Sequence, residues 1–273
     1  MRQDASVTFV GNATTLLRLG EFTLLTDPNF LHVGESAYLG YGFWSRRRTQ
    51  PAMDIDELPD LDAIVLSHLH GDHFDRVAKA RLPRALPIAT TPSAAGRLAR
   101  TWRFRDTIGL RTWQSVDFHK GDQRVRVTSV PAQHGPNGIH RLMPETMGAV
   151  LDWEVAGERR LRLYQTGDTL YRWWLREIPE RLPDIDVMLI HLGGTRVLGL
   201  LLTMDGEQGA SLVDLVEPAL AVPIHYNDYT VFRSGLGDFR DAVRRRHLDH
   251  LVRPVSRGDT MDLTAAVQQP AQR

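Results

Sequence analysis

His68-Leu69-His70-Gly71-Asp72-His73 is the stretch that most constrains the fold of this 273-residue sequence. It places three histidines and an aspartate within six residues, in a chain with 11 histidines altogether. Residues two apart in an extended segment project to the same side, so His68 and His70 are expected to hold one ion together. Gly71 would let the backbone turn and aim Asp72 and His73 at a second point. The spacing predicts two metal sites.

Strand and helix signals surround this motif. Alternating or continuous apolar runs predict strands over residues 6–10, 14–19, 22–26, 61–67, 87–90, 123–130, 147–155, 159–165, 186–190 and 219–224. Helices are predicted over 91–100, which begins at Thr91-Pro92, over 205–216, where Asp205 and Gln208 fit a capping box, and over 237–246. No linker or repeat divides the chain, so we expect one domain over residues 1–273, with a frayed tail over 264–273. The mixture indicates sheets covered by helices.

Three further predicted strands end on a histidine or an aspartate. These residues are His134, Asp168 and His225. Sheet enzymes place their sites at strand ends, because rigid strands fix positions there. We therefore assign His68, His70 and His134 to one metal ion. Asp72, His73 and His225 are assigned to a second, and Asp168 is expected to bridge both.

Composition narrows the chemistry. The chain has no cysteine, which excludes disulfides, thiolate nucleophiles and Cys-ligated zinc. Its 33 basic and 33 acidic residues balance, so there is no overall positive field to attract nucleic acid. No apolar run is long enough to cross a bilayer, and residues 1–20 lack a signal-peptide pattern. We expect a cytoplasmic protein that acts on a small molecule.

The ligand pattern resembles the metallo-β-lactamase superfamily. The residues that carry the resemblance are the His-x-His-x-Asp-His motif, the later His134, the Gly167-Asp168-Thr169 segment and His225. Further segments resemble the branch that contains L-ascorbate-6-phosphate lactonase and the N-acylphosphatidylethanolamine-hydrolysing phospholipase D: Val10 to Thr15, Leu25 to Pro28, Glu57 to Pro59 and Thr203 to Asp205. The resemblance implies an α/β fold, a four-layer αββα sandwich of two mixed sheets flanked by helices, with the site at one edge.

The expected cofactors are two divalent ions, Zn²⁺ first, with Mn²⁺ or iron as alternatives. Two such ions about 3.5–4 Å apart share a hydroxide that attacks an ester-like bond. A redox enzyme of the flavodiiron type would carry Glu where this chain has His70. We therefore expect hydrolysis of a lactone or a phosphodiester. The alternatives are a nuclease, disfavoured by neutral charge and length, and a metal-bound binding or sensor protein without turnover.

Several other residues have two interpretations each. Asp27 would accept a ring N–H from a ligand histidine, or it is an Asp-Pro turn residue. His191 would contact substrate or donate a proton, or it is a hydrogen-bonded structural histidine. Tyr226 would polarise a substrate oxygen, or it packs in the core.

Two loops are candidates for the walls of the site. Residues 29–50 would form a lid, or a covering loop with a solvated basic edge, and its candidate substrate contacts are Tyr41, Trp44, Arg46, Arg47 and Arg48. The three arginines suggest an anionic substrate. The apolar segment 197–202 would wall the pocket or contact another subunit of a homo-oligomer.

Overall fold

Two mixed β-sheets form the centre of the structure, a computed structural model that describes residues 5–264. The first sheet has seven strands, in the spatial order β17-β1-β2-β3-β6-β7-β8. Their bounds are β1 Ala5–Gly11, β2 Thr14–Leu19, β3 Phe22–Thr26, β6 Ala63–Val65, β7 Ile88–Thr90, β8 Thr107–Gly109 and β17 Thr260–Asp262. Neighbours among β17, β1, β2 and β3 pair antiparallel, whereas neighbours among β3, β6, β7 and β8 pair parallel.

The second sheet has six strands, in the order β16-β13-β12-β11-β10-β9. Their bounds are β9 Ser115–Lys120, β10 Gln123–Val130, β11 Gly148–Val155, β12 Glu158–Gln165, β13 Val187–His191 and β16 Leu220–Ile224. Two short hairpins stand apart from the sheets: β4 Ser36–Tyr38 with β5 Trp44–Arg46, and β14 Arg196–Val197 with β15 Leu200–Leu201. We call them the aromatic hairpin (residues 36–46) and the apolar hairpin (residues 196–201).

The helices are short. The α-helices are α1 Arg76–Arg81, α2 Pro92–Trp102, α3 Glu177–Arg181, α4 Gly206–Val216 and α5 Leu236–Arg245. Single 3₁₀ turns cover Ile55–Glu57, Ile139–Arg141, Trp173–Arg176 and Asp249–Leu251. Within residues 5–264, no helix has the length and apolar character needed to span a bilayer.

Alternating side chains show how the layers stack. Leu24 of β3 and Leu189 of β13 lie in one buried cluster between the two sheets. Their neighbours face outward: Leu25 packs with Leu98 of α2, and Ile190 packs with Val213 of α4. Because successive strand residues point to opposite faces, both faces of each sheet are buried. The predicted helix–sheet–sheet–helix order is confirmed.

Helix starts follow the sequence signals with one exception. Thr91 caps α2 by accepting a hydrogen bond from the Ala94 amide, and Pro92 occupies the first turn. Asp205 likewise caps α4 through the Gln208 amide. The Gln208 side chain does not close the predicted capping box, however, because its oxygen accepts from the Tyr171 amide instead.

The strand directions bring several chain segments to one edge. Strands β10, β12, β13 and β16 run in the same direction in the second sheet, and β3 and β6 are parallel in the first. The segments that leave their carboxyl ends carry the predicted ligands. Because these carboxyl ends meet at one edge, the segments that follow them, and the predicted ligands they carry, are brought close together.

Candidate metal centre

The motif loop begins just beyond β6 and turns at once. The carbonyl of His70 accepts from the amides of His73 and Phe74, at 3.1 and 2.9 Å. Gly71 does not have the positive φ that the sequence interpretation implied. Its lack of a side chain serves close approach instead, because a Cβ there would lie 2.7 Å from the carbonyl oxygen of Tyr38 in the aromatic hairpin. Gly71 therefore lets this hairpin lie directly on the motif loop.

His68, His70 and His134 form what we call the first cluster. Nδ1 of His70 lies 3.0 Å from Nε2 of His68 and 3.2 Å from Nε2 of His134. Burial lowers the pKa of all three rings, that of His70 to about 3, so the rings are neutral. Three neutral rings that direct ring nitrogens at a common point form a donor set typical of transition-metal sites.

Asp72, His73 and His225 form the second cluster. Nε2 of His225 lies 3.1 Å from Nε2 of His73 and 3.3 Å from Oδ2 of Asp72. His225 adopts a left-handed backbone conformation, with φ of 60°. A non-glycine residue in that conformation is uncommon, and such strain concentrates at functional sites.

In three of the ligand histidines Nδ1 contacts a group outside the cluster, and Nε2 points into the cluster. Nδ1 of His134 donates to the carbonyl of Leu202 at 2.9 Å, and Nδ1 of His225 contacts the carbonyl of Leu192 at 3.3 Å. Nδ1 of His73 donates to a carboxylate, as described below. These partners turn Nε2 of each ring toward its cluster, the orientation seen around metal-binding histidines.

Asp168 lies between the two clusters. Its Oδ2 is 3.3 Å from Nε2 of His73 in the second cluster and 3.7 Å from Nε2 of His134 in the first. Burial raises the pKa of this carboxyl, but His225 and His73 outweigh burial and lower it well below the usual range. Asp168 is therefore an ionised carboxylate in reach of both donor sets.

The donor set fits divalent cations. Oδ1 of Asp72 and Oδ1 of Asp168 are buried oxygens without a hydrogen-bond partner. Leaving such an anionic oxygen unpaired is costly, whereas a cation at either cluster would compensate it. All seven predicted ligands are buried and belong to these two clusters and Asp168.

Asp27, at the end of β3, lies behind the second cluster. Its Oδ2 accepts from Nδ1 of His73 at 2.9 Å, and its oxygens also accept from the amide and the hydroxyl of Ser67. Burial raises the pKa of Asp27, but His73 and His191 lower it to about 2. Of the two interpretations drawn from the sequence, the geometry corresponds to the partner of a ligand histidine.

Two predicted catalytic residues do not reach the cavity described below. His191 is fully buried, with Nδ1 3.2 Å from the Thr166 hydroxyl and Nε2 3.4 Å from Oδ2 of Asp27. The ring of Tyr226 packs 6.4 Å from that of Phe9. Neither side chain lines the cavity, so the geometry corresponds to the structural interpretation of each residue and not to contact with substrate. Both sit at strand ends, but their side chains point into the protein.

The three arginines of residues 46–48 do not line the cavity. Arg47 is buried: its guanidinium lies 3.7 Å from Oδ1 of Asp228 and donates to the side-chain oxygen of Asn29. Arg46 is exposed and donates to the carbonyl of Gly34, away from the cavity. Arg48 is exposed as well and does not line the cavity. The basic run therefore anchors the aromatic hairpin and gives the cavity no positive charge.

The aromatic hairpin contributes to the cavity at its tip. Tyr41 lines it, and the Tyr41 hydroxyl donates to the carbonyl of Leu142 across the mouth at 2.6 Å. Trp44 does not line it and instead packs against Tyr38, with ring centroids 4.9 Å apart. Of the five predicted substrate contacts, the structure places Tyr41 at the cavity.

The cavity opens above the clusters and has a volume of about 200 Å³. His70, Asp72, His134 and Asp168 form its floor. The walls come from the aromatic hairpin, the segment around Ile139–Arg141 and the apolar hairpin. Residues 197–202, for which the sequence suggested a pocket wall or a subunit contact, supply Val197, Leu198, Leu200 and Leu202 to the wall.

Asn12 is a site residue that the sequence interpretation missed. Its side-chain amide donates to the carbonyl of Asp72 at 2.7 Å, and its own carbonyl accepts from the His225 amide at 2.8 Å. Asn12 thus holds two segments of the second cluster together. The signal was present in the Val10 to Thr15 segment, where Gly11-Asn12 interrupts an apolar strand.

Comparisons with known proteins agree with this architecture. The chain is 28% identical over 239 residues to N-acyl-phosphatidylethanolamine-hydrolyzing phospholipase D 1 of Caenorhabditis elegans, which covers 81% of the chain. The match spans 64% of that protein's length. A UPF0173 metal-dependent hydrolase of Aeropyrum pernix is 27% identical over 271 residues, 94% of this chain and 97% of the relative.

Solved structures share the fold. The isothiocyanate hydrolase from Delia radicum gut bacteria superposes with a TM-score of 0.78 at 19% identity, and the match covers 94% of this chain and 98% of that one. Residues 24–226, which include the motif loop and His225, match the family model described as the beta-lactamase superfamily domain. The chain belongs to this superfamily.

Proposed function

We propose that the chain is a metal-dependent hydrolase with a dinuclear centre, which cleaves an ester-like bond of a small substrate such as a lactone or a phosphodiester. The observation that carries the proposal is the position of Asp168, whose carboxylate lies within 4 Å of histidine nitrogens from both clusters. A single carboxylate shared by two donor sets is what a pair of neighbouring ions requires. The metal-dependent hydrolase names of relatives such as that of Aeropyrum pernix support the same class.

The chain's residues have separate tasks in this proposal. The first cluster would hold one ion, the second cluster the other, and Asp168 both. Two divalent ions, Zn²⁺ or alternatively Mn²⁺ or iron, would supply Lewis acidity and lower the pKa of a water molecule to about 7. Asp72 lines the cavity, so besides holding an ion it would lie next to the reacting bond of the substrate. Asp27, His191 and Asn12 keep the ligands oriented.

The alternatives receive less support from the cavity. A nuclease needs cationic side chains to bind phosphates, and the described lining contains no lysine or arginine. A binding or sensor protein without turnover would be free to lose ligands, whereas all seven side chains converge here. Association into a homo-oligomer and a cytoplasmic location remain predictions.

Metal removal and replacement test the proposal. Protein stripped with a chelator should not hydrolyse lactone, phosphodiester, thioester or isothiocyanate substrates, and adding Zn²⁺ should restore turnover of at least one of them. Asp168→Asn should lower kcat/KM by more than about a hundredfold, since several kcal/mol of transition-state stabilisation depend on the metals. Asp117→Asn, on β9 and distant from the clusters, is the matched control. Full activity of the stripped protein would refute the proposal.

A further inference from the structure

The walls of the cavity are mostly apolar, whereas its floor carries the candidate metal ligands. The aromatic hairpin supplies Leu39, Tyr41 and Phe43 to the walls, and the segment around the 3₁₀ turn Ile139–Arg141 supplies Ile139, Leu142 and Met143. The apolar hairpin adds further aliphatic side chains. A substrate that reached the floor would therefore contact mainly hydrocarbon apart from its reacting group.

Charge is confined to the floor. Among the residues described as lining the cavity, the ionisable ones are His70, Asp72, His134 and Asp168, together with the Tyr41 phenol. The first four are candidate metal ligands, and the Tyr41 hydroxyl donates to the Leu142 carbonyl. A charged group on the substrate away from the reacting bond would lose its hydration and find no counter-ion, which is costly.

Two arginines beside the wall segments are engaged elsewhere. Arg47 is buried against Asp228 and Asn29. Arg196 of the apolar hairpin lies 3.8 Å from Oδ2 of Asp205 and donates to the carbonyl of Gly199. Neither lines the cavity. A phosphate or carboxylate group in the cavity would thus have no guanidinium to pair with.

The volume limits the substrate's size. An apolar cavity of about 150 Å³ holds one benzene ring, and a water-sized group occupies about 30 Å³. The 200 Å³ here corresponds to a single ring, or a chain of about six carbons, in addition to the reacting group.

We infer that the substrate is an uncharged ester or lactone whose acyl part is an apolar chain or ring of this size, and that esters with a charged group on the acyl chain are poor substrates. This inference rests on the proposed hydrolase function and narrows it. In the reaction, the oxygen of water bonds to the carbonyl carbon and the acyl C–O bond breaks. One proton passes to the leaving oxygen, and the new carboxylic acid releases the other.

A chain-length series with one leaving group tests the inference. Zn²⁺-loaded protein would be assayed with 4-nitrophenyl acetate, hexanoate and dodecanoate, and with mono-4-nitrophenyl glutarate, whose acyl chain is about as long as that of the hexanoate but ends in a carboxylate. Each buried methylene is worth about 0.8 kcal/mol, roughly fourfold in affinity. We expect kcat/KM to rise at least tenfold from acetate to hexanoate, to gain nothing further at dodecanoate, and to be at least tenfold lower for the glutarate than for the hexanoate. Equal values for acetate and hexanoate, or a preference for the glutarate over the hexanoate, would overturn the inference.

A charge placed in the wall gives a second test. Met143 is half-buried and lines the cavity, whereas Val33 is exposed and does not. Met143→Lys should lower kcat/KM for the hexanoate ester at least tenfold, and Val33→Lys should leave it unchanged. Equal activity of the two variants on the hexanoate ester would contradict the inferred apolar site.

Binding separates failure of the inference from failure of the proposed function. Hexanamide, an uncharged analogue that resists hydrolysis, should bind the wild type and Val33→Lys in ligand-observed NMR, and Met143→Lys should bind it at least tenfold more weakly. Binding without turnover of any substrate would refute the hydrolase and leave the apolar site standing. Turnover of the glutarate ester without hexanamide binding would refute the apolar site and leave the hydrolase standing.

Discussion

Nδ1 of His73 donates a hydrogen bond of 2.9 Å to Oδ2 of Asp27, and both side chains are fully buried. The bond crosses from the end of β3 to the motif loop, two segments joined side by side through the parallel pairing of β3 with β6. It fixes the ring so that Nε2 faces the second cluster. A carboxylate behind a ligand histidine also increases the basicity of the ring.

We expect Asp27→Ala to weaken Zn²⁺ binding by about tenfold to a hundredfold, the range found when such partners are removed from metal-binding histidines. Competition with a chromophoric chelator would measure the affinity. Asp117→Asn is the control, because its carboxylate pairs with Arg126 on the neighbouring strand. Unchanged affinity in a folded Asp27→Ala protein would mean that the His73 orientation is set elsewhere.

His191 should act through Asp27 and not on the substrate. His191→Gln keeps a polar group near the Thr166 hydroxyl and Asp27, so kcat should fall less than about tenfold, below the 10²–10⁴ range of a lost general acid or base. The pH–rate profile of the variant should keep its shape. Loss of one limb of the profile would show that His191 transfers a proton after all.

Neighbouring arginines should differ in their effect on stability. Arg47→Met removes a buried partner of Asp228 and should lower the free energy of unfolding by about 3 kcal/mol, the lower end for breaking a buried pair, since Arg257 still contacts Asp228 at 2.8 Å. Arg46→Met, at an exposed position, should change it by less than about 0.5 kcal/mol. Urea denaturation of both variants at the same metal loading measures the difference. Equal losses would contradict the buried anchoring of the hairpin.

The pair between Asp117 and Arg126 should make a pH-dependent contribution to stability. Hydrogen bonds from Arg126 lower the pKa of Asp117 below its usual 3.8, against the smaller opposing effect of burial. The folded state thus favours the ionised form, so the contribution is present above pH 3.8 and is lost as the pH falls through the folded-state pKa. Asp117→Asn should cost about 0.5–1 kcal/mol at pH 7, as partly exposed pairs do.

The loss of unfolding free energy caused by Asp117→Asn should shrink toward zero as the pH falls below 3.8. Unfolding of the wild type and of Asp117→Asn at a series of pH values measures this. Asp56→Asn, at an exposed pair with Arg81, should change stability by less than about 0.5 kcal/mol at pH 7. A cost for Asp117→Asn that stays constant down to pH 3 would contradict the linkage.

Local sequence patterns predicted many of the strands of the two sheets. The predicted strands 14–19, 22–26 and 123–130 coincide with β2, β3 and β10, because each combines an apolar face with a turn signal at its end. The prediction missed β9 Ser115–Lys120, which is only partly buried and carries charged residues, so it shows no apolar face. It also missed α1 and α3, which are too short to display a helical period.

The metal-ligand positions were predictable because residue types that bind metals occur at the ends of predicted strands. The seven ligand positions follow from residue type and the ends of strands, and the structure brings all of them together. Arg47 was not predictable, because its partner Asp228 lies far along the chain and no local pattern marks an arginine as buried. For His191 and Tyr226 the sequence left two interpretations open, because a strand end does not reveal which way its last side chains point. The predicted tail, 264–273, lies outside the described residues apart from residue 264.

Anomalous diffraction from crystals of the Zn²⁺-loaded protein, recorded on both sides of the zinc absorption edge, tests the dinuclear centre most directly. We expect two zinc peaks per chain, one within the first cluster and one within the second, with the Asp168 carboxylate between them. Crystals of Asp168→Asn should show weakened or missing peaks. A single zinc ion in the fully loaded wild type, or zinc bound away from Asp168, would contradict the dinuclear centre.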